Sequence, residues 1–263
     1  MAKPGPVLHE QVFEARYERG YRYLDRCGDV MLILEDLLQK TTGQRWLPRD
    51  MKPTGAHIHA PDLDAAVQFD AARATIVQTP CKQGLDFTAL TSNVMAAITG
   101  RFDLRTFSRI GARRQQILPA QDIDESDKQT VRRLRRLDDW PAPPEADMAP
   151  RSRDVTIVYE TADRARGIKF SVRSIRKVEA PEQVDERLRM PPHLLPENQR
   201  AALLEQLQRR RKLAEDPPAG LMIDCDYYCV WLERWDAEKF LLAAWQEADR
   251  LTNSFLESHN ENR

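Results

Sequence analysis

The hydrophobic period changes from two residues to about 3.6 and back, and it does so twice along the chain. From Val12 to Leu24, Phe13, Ala15, Tyr17, Arg19, Tyr21 and Tyr23 alternate with Glu14, Arg16, Glu18, Gly20 and Arg22, which predicts a long half-buried strand. Val30, Ile33, Leu34, Leu37 and Leu38 then recur at helical spacing behind a capping Asp29, so a helix is expected that stops before Gly43. Three short extended runs follow, near 55–60, 63–69 and 74–79, separated at Pro61-Asp62 and at 70–73. A second helix is expected over 86–100, with Phe87, Leu90, Val94, Ala97 and Ile98 on one stripe and Gly100 at its end.

The order restarts at Arg105. A strand over 105–118 places Phe107, Arg109, Gly111 and Arg113 on one face and Ser108, Ile110, Ala112 and Arg114 on the other. A polar helix (124–137), a proline-rich loop (140–150) and strands over 154–161 and 167–178 come next. A helical insertion at about 182–214 precedes a strand over 221–231 and a last helix over 237–258. The fold class that follows is α+β: a curved, mainly antiparallel sheet with helices packed on one face and the other face open. The repeated order points to an internal pseudo-duplication, residues 1–103 and 104–263, joined in one continuous sheet. TATA-box-binding proteins have this saddle order of elements, an analogy of topology alone.

Composition narrows the function classes. Apolar residues are 41% of the chain and charged residues 31%, on the globular side of the balance between burial and chain entropy. The net charge of -1 supplies no overall field toward nucleic acid or an anionic membrane. MAKPGPVLHE holds no apolar run of a signal peptide, and no stretch approaches the roughly 20 apolar residues of a membrane helix, so a cytoplasmic protein is expected. Cys27, Cys81, Cys225 and Cys229 are too scattered for a disulfide framework and read as buried thiols. The ten glycines form neither G-x-x-x-x-G-K nor G-x-G-x-x-G, and there is no G-x-S-x-G. No cofactor is expected.

Three segments, FEARYERGYRYL, FSRIGARR and MIDCDYY followed by a long helix with NSFLES, resemble a sporadically distributed bacterial family of uncharacterised proteins of similar length. The central match is to an Arg-Ile-Gly-Leu-Arg pattern at Arg109, Ile110, Gly111, Ala112 and Arg113, with Ala112 in place of the leucine and Arg114 in place of an aromatic. The resemblance implies the same fold and carries no activity.

Three sets of residues are candidates for chemistry. His57 and His59 share one strand face, with Asp62 and Asp64 just beyond; such a cluster begins a metal site but lacks the four ligands zinc takes. Asp224 and Asp226 share another strand face and suit Mg²⁺ or a shared proton. Together these six residues define a metal-dependent hydrolase or nuclease as one reading. Basic residues are the third set. RRLRR (132–136) and QRRRK (208–212) have acids close by and read as solvated helix faces. Arg16, Arg19, Arg109, Arg113 and Arg114, interleaved with Tyr17, Tyr21 and Tyr23, suit a protein partner or bases and phosphates on the open sheet face. The leading expectation is a non-catalytic binding protein whose partner is a protein or a second copy of the chain, with nucleic acid the next candidate and no membrane.

Overall fold

The computed structural model describes residues 5–18, 20–120, 125, 126, 128, 129, 154–176, 219–233 and 235–257. The elements are β1 (Val7–Tyr17), a single 3-10 turn (Gly20–Arg22), α1 (Tyr23–Thr42), β2 (Leu47–Lys52), β3 (Gly55–Ala60), β4 (Ala65–Phe69), β5 (Arg73–Gln78) and α2 (Phe87–Phe102). They continue with β6 (Phe107–Ala120), β7 (Asp154–Glu160), β8 (Arg166–Arg176), β9 (Ala219–Leu232) and α3 (Ala237–Glu257). Among the described residues, nine strands form one open antiparallel sheet in the order β2-β3-β4-β5-β1-β6-β9-β8-β7. The fold is α+β, as the alternation of periods predicts.

From the central pair outward the strands run β1, β5, β4, β3, β2 on one side and β6, β9, β8, β7 on the other. Each side starts with its first strand at the centre and returns through a meander to pair with it. Residues 125, 126, 128 and 129 are helical, at the point in the chain where the first half has α1. Among the described residues, no strand stands beside β7 as β2 stands beside β3.

Local chemistry explains most element ends. The Asp86 side chain accepts from the Ala89 N–H (2.9 Å), capping α2, and Gly43 closes α1 at φ 65°. At the β4–β5 turn, Asp70 Oδ1 accepts from the N–H groups of Ala72 (2.6 Å) and Arg73 (2.9 Å). α2 runs through Gly100 to Phe102, and Asp103 takes the left-handed position at φ 54°.

The first strand differs from expectation at both ends. It begins at Val7 and stops at Tyr17, and the chain then turns at Gly20 into a helix that already starts at Tyr23. The turn needs glycine because a Cβ at Gly20 would run into the Ala71 carbonyl and lie 2.7 Å from the Tyr17 ring. Tyr23 is therefore a helix residue whose hydroxyl donates to the Lys52 carbonyl (2.5 Å), while Tyr21 is exposed on the 3-10 turn. β2 is an unexpected strand, hidden in the sequence by Pro48 and by its charged residues. In β6, a bulge shifts the pairing with β1 between Arg16↔Arg109 and Tyr17↔Phe107. Phe107 is accordingly buried against Tyr17 and Trp235 and separated from Arg109.

The helices cover one sheet face. The larger apolar cluster joins Phe13, Leu34, Ile58, Phe69, Leu90 and Ile110, and a smaller one joins Phe170, Val172, Leu221, Ile223, Ala248 and Phe255. Cys225 and Cys229 are buried on this side. No described helix is long and apolar enough to cross a membrane. The proline-rich loop, the helical insertion, both basic runs, Arg19 and most of the 124–137 helix lie outside the described residues.

Candidate binding face

On the face away from the helices, strand register lines up Asp50, His57, Gln68, Thr75, Glu14, Gly111, Tyr228, Gly167 and Glu160 in one row across all nine strands. Two positions in that row are glycines, and each makes room for a neighbouring side chain to lie flat. A Cβ at Gly111 would sit 3.0 Å from Arg109 Nη1, and a Cβ at Gly167 would sit 2.5 Å from the Tyr228 hydroxyl. Arg109 crosses over Gly111 to reach Glu14 Oε1 (3.4 Å) and Asp226 Oδ2 (3.0 Å), with its guanidinium 5.3 Å from the centre of the Tyr228 ring. Tyr228 crosses over Gly167 and donates its hydroxyl to Glu160 (2.5 Å).

The neighbouring rows extend the ladder. Arg16 Nε pairs with Glu14 (2.7 Å), and Arg113 grips Asp224 bidentately through Nε (2.8 Å) and Nη2 (2.6 Å). The Gln115 amide lies against both partners of that pair. Burial raises the Asp226 carboxyl above its ordinary value, opposed by the Arg109 charge, and the bond to Asp224 holds Arg113 above its own. Donation to Glu160 keeps the Tyr228 phenol protonated.

Of the arginines and tyrosines expected on this face, Arg16, Arg109 and Arg113 are there. Tyr17 is not: it is 4% exposed on the helix side, its hydroxyl donating to the carbonyls of Asp70 (2.7 Å) and Arg73 (2.9 Å), and burial drives its phenol pKa up. Tyr23 is fully buried. Arg114 also points to the helices, 5.7 Å from the Trp245 ring centre and paired with Asp249 (2.8 Å). Arginine and tyrosine therefore meet on the open face at Arg109 and Tyr228. Glu14, Gly111, Gln115, Glu160, Gly167 and Tyr228 complete the ladder without having stood out in the sequence, because only cross-strand register brings them together.

His57 and His59 project from β3 onto the open face with ring centres 5.9 Å apart. His59 Nδ1 lies 3.2 Å from the Leu47 carbonyl oxygen. His57 lines a hollow of about 260 Å³ with Asp50, Gln68, Arg73 and Thr75, and burial holds its pKa below the ordinary histidine value. Lys82 binds the β3–β4 turn, pairing with Asp64 Oδ2 (2.8 Å) and donating to the Asp62 carbonyl (2.9 Å). Asp224 and Asp226 sit on β9, five strand spacings from β3. At about 4.8 Å each this is roughly 24 Å, an order of magnitude beyond a metal–ligand bond of about 2–2.6 Å. The histidines and this acid pair do not share a site, and among the described residues no three His, Cys, Asp or Glu side chains gather where they would hold a metal ion.

A scan of protein-family models matches none to the chain, and a search of curated proteins finds no match. Chemically, the ladder presents fixed donors, acceptors and one aromatic ring on a rigid sheet, an arrangement suited to recognition.

Proposed function

We propose that this chain is a non-catalytic binding protein that engages a protein partner through the open face of its sheet. The observation that carries the reading is the ladder Arg16–Glu14–Arg109–Asp226 with Arg113–Asp224 beside it, in which every one of these arginines is matched by a carboxylate on the same face. A phosphate backbone is bound by cations free to replace its counterions. A ladder whose arginines are already paired favours instead a partner that brings donors and acceptors of both signs, and Arg109 stacked on Tyr228 supplies the kind of anchor enriched at protein interfaces.

Site-specific photo-crosslinking tests this in cells. A photoreactive residue in place of Lys169, which stands beside Asp226 on the open face, is expected to capture a discrete polypeptide; the same residue in place of Lys239 on α3 is not. Adding Arg109→Ala should remove that product. A gel shift at low salt separates the nucleic-acid alternative, because salt-sensitive binding of DNA or RNA by the wild-type chain, abolished by Arg109→Ala, would replace this reading.

A further inference from the structure

Among the described residues β7 is an edge strand, built unlike the opposite edge. β2 carries Pro48, Arg49, Asp50 and Lys52 in six residues, the features that keep a sheet edge from pairing. β7 reads Asp154-Val-Thr-Ile-Val-Tyr-Glu160, with charges only at its ends and Ile157 40%, Val158 53% and Tyr159 48% exposed. The hydrogen bond from the Thr161 N–H to the Arg166 carbonyl (2.9 Å) fixes the alternation of the β7–β8 ladder. Val155, Ile157 and Tyr159 therefore turn their backbone groups to β8, while Thr156, Val158 and Glu160 turn theirs outward.

We propose that the outer edge of β7 is a docking edge for an extended segment of a partner protein, which adds antiparallel to the sheet as a tenth strand. The first half supplies the precedent within the molecule: β3, the counterpart of β7 in strand order, is covered on its outer edge by β2. Charge selects the occupant. Acidic residues at both ends of β7 call for a strand with an apolar, β-branched centre and a lysine or arginine at each end. A second copy fits poorly, because antiparallel self-pairing about Ile157 sets Asp154 opposite Glu160, like charge against like. On the helix side, Tyr159, Ile168 and Tyr227 floor a hollow of about 340 Å³ rimmed by the Glu247–Arg250 pair, space for one side chain of the incoming strand. This edge is approached from the side of the sheet and shares Glu160 with the face ladder, while strand addition along Thr156 and Val158 does not depend on the reading made for that face.

The probe is the capped peptide Lys-Val-Thr-Val-Thr-Val-Lys, with a version carrying a central proline as control, read by amide hydrogen exchange on the full chain. In the free protein, Thr156, Val158 and Glu160 are expected to exchange fast and Ile157 and Tyr159 slowly. The peptide should slow the first three by at least about tenfold, the proline version should not, and Val158→Pro or Val158→Lys should weaken binding by about tenfold or more while Ile157 and Tyr159 stay protected. Slow exchange at Thr156, Val158 and Glu160 in the free monomer would overturn the proposal, since the chain would then cover its own edge. Protection that grows with protein concentration would overturn it in favour of a second copy. Fast exchange that the peptide leaves unchanged would overturn it outright. Arg109→Ala should bind the peptide as the wild type does, so failure of the face reading and failure of the edge proposal are read separately.

Discussion

The two halves of the sheet follow the same strand order and differ in how they are finished. The first is sealed: α1 and α2 pack over it, Trp46, Phe69, Tyr23 and Phe102 fill its outer layer, and β2 closes its edge with a proline and charges. The second has a smaller described core, its open face carries most of the ion-pair ladder, and its edge strand is apolar. The same topology thus serves as scaffold on one side and as surface on the other.

Counterpart aromatics test the difference most strongly. Phe69 on β4 contacts Tyr23 and Phe102, whereas Phe170 on β8 has Phe255 as its ring neighbour. Phe69→Ala should cost about 3–5 kcal/mol and Phe170→Ala a value at the low end, about 3 kcal/mol, by urea titration. Both should shift one common transition, because β1 and β6 pair along most of their length. Two separated transitions would break the view of the sheet as one cooperative unit.

Glycine replacements give the next effect. Gly20→Ala forces a Cβ into the Ala71 carbonyl, which is backbone and cannot swing away, so about 1–3 kcal/mol is expected. Gly167→Ala meets the end of the Tyr228 side chain, which can move, and the Tyr159 carbonyl only at 3.0 Å; the expected loss is about 1 kcal/mol, with the Tyr228–Glu160 bond broken in the amide and side-chain NMR spectrum. Equal costs would mean that the second half is packed as rigidly as the first.

Titration should give the two halves opposite signs. Burial keeps the folded pKa of His57 below 6.5, so its contribution to stability is full above pH 6.5 and is lost as pH falls through the folded value. Burial raises Asp226 above 3.8, so its contribution is full below pH 3.8 and is lost as pH rises through the folded value. His57→Gln should flatten the first slope of stability against pH and Asp226→Asn the second. A His57→Gln profile that overlays the wild type would show that the hollow is open to water.

Much of the fold was legible because periodicity reports burial directly. The α1 stripe Val30, Leu34 and Leu38, the α2 stripe Phe87, Leu90, Val94 and Ile98, and the β3–β4–β5 meander all follow from it. β2 was not legible, since an edge strand with Pro48 and three charges has no apolar alternation to read. The overlong first strand has a similar cause: Tyr21 and Tyr23 continue a period of two past Gly20, and only the close approach of Ala71 shows why the backbone turns there. The candidate face was legible at Arg16, Arg109 and Arg113 but not in its logic. Glu14 is two residues from Arg16 on β1, but the partners of Arg109 and Arg113 lie on other strands, and Gly111 and Gly167 contribute by what they leave empty.

The position of β6 at the centre of the sheet has a consequence in time. One edge of β6 pairs with β1, made before it, but the other waits for β9, which begins at Ala219 while β6 ends at Ala120. A ribosome adding about 5–20 residues per second needs roughly 5–20 s to cover that interval. Throughout it β9 does not yet exist to pair with the border of β6 that holds Ile110, Ala112 and Ile117. The Arg109, Arg113 and Arg114 side chains along the same border, all still lacking their β9 and α3 partners, keep it charged until synthesis catches up.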